Sequence, residues 1–82
     1  DIPGAIHILS QGQEFYPESA EIRYKTAGFY LMMNNSINAR INLIDGLKLD
    51  FGKHHLFEKD FPQYAHSNWT RQIISNVKKT SR

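Results

Sequence analysis

The sequence predicts a small α+β domain, three helices with a β-hairpin between the first and the second. Three observations carry this expectation. Apolar residues recur at helical spacing from Ala20 to about Asn34, and again from Trp69 onward. Between these stretches, two alternating arms flank Asp45-Gly46, a dipeptide suited to a two-residue hairpin turn. The chain of 82 residues has room for one core, because two would leave about 40 residues each, too few to fold independently. Residues 1–82 therefore read as a single domain, with 1–19 as an N-terminal strand and extension and 20–82 as a helix-turn-helix core.

Taken in order, Ala5-Ile6-His7-Ile8-Leu9 is a short apolar run between Gly4 and Ser10-Gln11-Gly12 and reads as a strand. Pro17-Glu18-Ser19 opens the first helix, with Glu18 and Glu21 near its positive end. Ala20, Tyr24, Ala27, Tyr30 and Leu31 form its apolar set. Gly28 in the middle costs about 1 kcal/mol relative to Ala, so it marks either a weak helix or a close packing contact. Asn34-Asn35-Ser36 ends the helix. Arg40 to Ile44 and Leu47 to Phe51 then alternate apolar and polar residues, and Asp45-Gly46 supplies the positive φ values of the hairpin turn. The string Leu43-Ile44-Asp45-Gly46 also resembles part of a homing-endonuclease helix motif, but between alternating arms it reads as the turn.

A short helix follows over roughly Lys53 to Phe61, with Leu56, Phe57 and Phe61 at helical spacing, and Pro62 closes it. Gln63 to His66 reads as a turn, and Ser67 or Asn68 as the N-cap of a final helix. In that helix Trp69, Ile73, Ile74 and Val77 share one face, and Arg71, Ser75, Lys78, Lys79 and Arg82 share the opposite one. Gln72 flanks the polar face and Asn76 lies at its rim.

The charge distribution points the same way. The net charge of +2 conceals an asymmetry: residues 1–60 hold six Lys/Arg against eight Asp/Glu, whereas residues 61–82 hold Arg71, Lys78, Lys79 and Arg82 with no acid. A polyanion responds to that local field. A helix of this kind fits the major groove of B-DNA. On it Arg71, Gln72, Ser75 and Lys78 are placed to meet base edges, and Lys79 and Arg82 to hold phosphate. Tyr64, His66 and Thr70, just before or at its start, are placed to contact the phosphate backbone.

These residues resemble two families. Met33-Asn34-Asn35-Ser36, Ile41 to Phe51 around Asp45-Gly46, Phe57, Phe61-Pro62-Gln63-Tyr64 and His66-Ser67-Asn68-Trp69 are similar to successive parts of the heat-shock-factor-type winged helix. The resemblance spans roughly residues 27 to 77 and implies a winged-helix-like DNA-binding domain whose reading helix starts at Trp69. It departs where the family places its guanine-contacting arginine, a slot that falls on Ile74 here; aligning Arg71-Gln72-Ile73 with the family's Arg-Gln-Leu instead requires about four residues to be missing from the turn. The wing strands are absent before Arg82. Trp69, Ile73, Asn76, Val77 and Ser81-Arg82 also resemble the forkhead recognition helix in spacing, although the forkhead base-reading slots fall on Arg71 and Ser75. Both resemblances imply transcription regulation, and a nuclear location if the source is eukaryotic or a cytoplasmic one otherwise.

The expectation is thus a sequence-preferring module for double-stranded DNA. The alternative is a winged-helix protein-interaction module using Phe15, Tyr16, Tyr24 and Tyr30, and a protein partner or homo-oligomer through parts outside this chain is compatible with both. Catalysis, a cofactor and a metal site are not expected. His7, His54, His55, His66, Asp50, Glu58 and Asp60 lack a ligand spacing such as His-Glu-x-x-His, and no Gly-rich phosphate loop or nucleophile motif occurs. With no cysteine there is no disulfide framework. Apolar runs such as Phe29 to Met33 fall short of the roughly 20 residues that span a bilayer, and Asp1-Ile2-Pro3 lacks the basic start of a signal peptide, so neither membrane insertion nor secretion is expected. The missing initial Met and the end soon after a helix read as an excerpt of a longer protein.

Overall fold

A computed structural model describes residues 1–80, and these residues are helical with no strand among them. Helix α1 spans Ile2–Phe15, α2 Ala20–Met32 and α3 Ser36–Leu49. A 3₁₀ turn over Phe51–His54 then leads into α4 (His55–Asp60), α5 (Pro62–Ala65) and α6 (Asn68–Thr80). The expected α+β winged-helix architecture is therefore overturned in two places, the N-terminal strand and the hairpin.

Residues Ala5 to Leu9 lie inside α1, not in a strand. Asp1 caps this helix by accepting from the Gly4 amide at 2.6 Å, and Pro3 sits in the first turn, where its missing N–H costs nothing. The run Ala5-Ile6-His7-Ile8-Leu9 has no strict alternation, so its local pattern suits either geometry. Pro17 disfavours helical geometry in Tyr16 and stops α1 at Phe15. Ser19 then caps α2 by accepting from the Ile22 amide at 3.3 Å, the start that the sequence indicates. Asn34, at φ 59°, takes the left-handed conformation that ends α2.

The hairpin is replaced by α3. Asn35 caps it, accepting from the Asn38 amide at 3.1 Å. Ala39, Leu43, Gly46 and Leu47 are buried together, the i, i+4, i+7, i+8 set of one helical face. Asp45-Gly46 makes no turn, and no described glycine has positive φ. Gly46 instead lets α3 lie on α2: a Cβ there would sit 3.0 Å from the Tyr24 ring and 3.3 Å from the Arg23 Cβ. Asp45 pairs with the Arg23 guanidinium at 3.2 Å across the same contact. The string Leu43-Ile44-Asp45-Gly46 is thus helical.

The core gathers Ala20, Tyr24, Ala27, Leu43, Leu47, Phe57, Phe61, Ile73 and Val77 from α2, α3, α4, the α4–α5 junction and α6. Phe61 stands edge-on to Phe29, ring centroids 5.6 Å apart, and tilted against Phe57 at the same separation. Tyr24 donates its hydroxyl to the Asp50 carbonyl at 2.6 Å and ties α2 to the end of α3. The expected helix from Lys53 to Phe61 resolves into the 3₁₀ turn and α4. Pro62 occupies the first turn of α5, so the stretch read as a turn over Gln63 to His66 is itself largely one helical turn.

Candidate nucleic-acid interface

Helix α6 carries the exposed cations, and its placement starts at Ser67. The Ser67 hydroxyl accepts from the Thr70 amide at 3.2 Å and donates to the Thr70 hydroxyl at 3.1 Å, so Ser67 caps the helix. Thr70, Ile73 and Val77 are buried at i, i+3 and i+7 and fix the rotation of α6 against α3 and the rest of the core. Trp69 and Ile74 are half-buried on either side of that stripe. This rotation leaves Arg71, Gln72, Ser75, Asn76, Lys78 and Lys79 exposed or nearly so, and no acid lies among the residues of α6.

Of the residues expected to touch DNA, Arg71, Gln72, Ser75, Lys78 and Lys79 stand together on the outer face of α6, and His66 is exposed just before it. Thr70 is not at the surface. It is 0% exposed because the helix phase puts it on the buried stripe, and its hydroxyl is engaged by Ser67. Tyr64 is half-buried against the core. Arg82 lies outside the described residues. Ile74, the slot of the heat-shock-factor-type arginine, packs at the edge of the core.

The wall facing α6 has no signature in the local sequence. His54 of the 3₁₀ turn, Glu58 of α4 and His66 before α6 close a cleft of about 380 Å³ against it, lined on the α6 side by Arg71, Ser75 and Lys78. His54 lies 17 positions before Arg71, so no local spacing announces the pairing. The His54 ring is held at both nitrogens: Nδ1 is 2.7 Å from the Phe51 carbonyl and Nε2 is 3.4 Å from the Glu58 carboxylate. A carbonyl only accepts, so Nδ1 is the donor in that contact. Glu58 is the single acid of the cleft and is turned to His54. Among the described residues neither Arg71 nor Lys78 has an acidic partner within 4 Å.

Elsewhere, no three His, Asp or Glu side chains among the described residues come together to hold a metal ion. No described helix is long and apolar enough to cross a membrane. Phe15 and Tyr16 are 78% and 68% exposed, Tyr30 is half-buried, and Tyr24 is in the core at 1% exposure and unavailable to a partner. Comparison with family models, curated proteins and solved structures gives no match.

Proposed function

We propose that this helical domain binds double-stranded DNA through α6 and serves as a sequence-preferring module of a transcription regulator. The observation that carries the reading is the acid-free outer face of α6, held in fixed rotation by Thr70, Ile73 and Val77. A 13-residue helix is about 20 Å long, enough to lie in a major groove about 12 Å wide. Arg71, Gln72, Ser75, Lys78 and Lys79 meet the duplex, with His66 at the leading edge. Lysines in the last turn also complement the helix dipole, which needs no ligand. A binding role differs from that structural one in its response to salt.

Duplex binding measured over a salt series separates the two. Replacing Lys78 and Lys79 by Ala weakens binding and lowers the slope of log affinity against log salt. Unchanged affinity and slope in the double variant would sink the reading. Enrichment of particular sites from a random duplex pool then distinguishes sequence preference from general polyanion attraction.

A protein-interaction role is the second reading, and a separate observation favours it. Ile8, Phe15, Tyr16, Met32, Met33, Ile37 and Ile41 are large apolar side chains left exposed on α1 to α3. Large apolar side chains left in water are met by a partner when they lie in one patch. No enrichment from the random duplex pool, together with a stable complex recovered with a defined protein, decides for this role.

A further inference from the structure

We propose that the cleft between α4 and α6 is a phosphate site that seats one backbone phosphate of the bound duplex, shared between Arg71 and Lys78. The inference rests on the DNA-binding reading and divides the labour on α6. Arg71, Ser75 and Lys78 stand at i, i+4 and i+7, a single row along the helix, and all three line the cleft. Gln72 and Asn76 lie about 100° around the helix from Arg71 and Ser75, outside it. The row that faces the cleft therefore offers only donors and cations plus one hydroxyl, the chemistry of phosphate recognition. Arg71 and Lys78 are about 10 Å apart along the axis, a gap their long side chains close from both ends over Ser75.

The opposite wall supports the same ligand. Glu58, the one carboxylate of the lining, lies 3.4 Å from His54 Nε2, and the other nitrogen of that ring is held by the Phe51 carbonyl. His66 adds a further ring nitrogen at the mouth of the cleft, exposed to solvent. Ala65 and Ile74 complete the lining with apolar atoms. The cleft volume of about 380 Å³ falls at the lower end of small-ligand sites, which begin at roughly 300 Å³. It has no room for a duplex, and a single phosphodiester is the part of a duplex that fits. Phosphate contacts fix register without reading bases, so base discrimination falls to Gln72 and its neighbours on the adjoining row.

Salt-series titrations of a random-sequence duplex, run on the whole chain, test the shared site. The variants are Arg71→Gln, Lys78→Gln, the pair together, and Lys48→Gln as a control on α3. Each single cleft variant keeps most of the salt slope, because the remaining cation still neutralises the phosphate. The pair together loses about one unit, which is about eightfold in affinity at 0.1 M salt, because only then is the one phosphate left without a cation. A loss of about two units in the pair means separate phosphates and overturns the shared site. An unchanged slope in the double variant, with wild-type binding intact, removes the cleft from the interface and leaves the DNA reading standing. Failure of the wild-type chain to bind any duplex overturns both. Amide chemical shifts followed during addition of inorganic phosphate form the second arm. Shifts at Arg71, Ser75 and Lys78 without any loss of duplex affinity in the variants assign the cleft to a free small anion and overturn the backbone-phosphate assignment.

Discussion

Gly28 and Tyr24 are single residues whose identity is explained by one neighbour each. At Gly28 the ring of Phe61 occupies the place where a Cβ would stand, and Phe61 is itself wedged against Phe29 and Phe57. The helix-weakening glycine of the sequence is thus the close packing contact. Gly28→Ala is expected to lose about 1–2 kcal/mol net, because overpacking outweighs the helix propensity gained. The midpoint of urea unfolding measures it, and a stabilised variant would contradict the contact. At Tyr24, burial first and the nearby Asp50 charge second hold the phenol well above its ordinary range. Below about pH 10 the phenol is neutral in folded and unfolded chains alike, and the associated stability is fully present. Above that pH the unfolded chain ionises first, so stability falls as pH rises toward the folded value. Tyr24→Phe is expected to lose about 1 kcal/mol at neutral pH, with the bond to the Asp50 carbonyl, and to show a shallower alkaline decline. Urea unfolding from neutral pH to about pH 11 reads both effects.

Among the elements, α2 and α6 were legible from their own residues and α1 and α3 were not. Helix α2 opens at Pro17-Glu18-Ser19 as expected, Ser67 is the one of the two expected candidates that caps α6, and the buried stripe of α6 includes Ile73 and Val77 as its periodicity indicates. In α3 the same residues satisfy two periods over a short window. Leu43 and Leu47 fit the alternating arms of a hairpin and also the buried helical face. Asp45-Gly46 decided the sequence reading for the hairpin, yet Gly46 serves as a notch for the Tyr24 ring. Substituting Gly46 by Ala distinguishes these uses. In α3 the far-UV circular dichroism stays helical and the stability loss is smaller than for Gly28→Ala. The helix gains about 1 kcal/mol of propensity, and the Tyr24 and Arg23 side chains need to yield only a few tenths of an ångström. Loss of folded structure in Gly46→Ala would point back to a turn.

For the molecule as a whole, the core joins α2, α3, α4 and α6, with α1 laid outside it. Helix α1 has no buried residue and packs chiefly along α2, with Ile8 and Phe15 left to solvent. Its amides are therefore expected to exchange with deuterium faster than those of α2 and α3, through local opening that leaves the core intact. Protection of α1 equal to that of α3 would show that it unfolds only with the rest. A groove of about 580 Å³ lies between α1, α2 and Phe61, and no residue of α6 lines it. Composition, the acid-free terminal stretch and the caps at Ser19 and Ser67 follow from neighbours within about one helical turn, and such local terms act before any fold exists. The strand-or-helix choice at residues 5–9 and 40–51 depends on what those segments pack against. Gly46 needs Tyr24, 22 positions earlier, to show its use. The cleft is tertiary for the same reason. Arg71 and Lys78 belong to one helix by sequence, but only the fold brings His54 and Glu58 to face them.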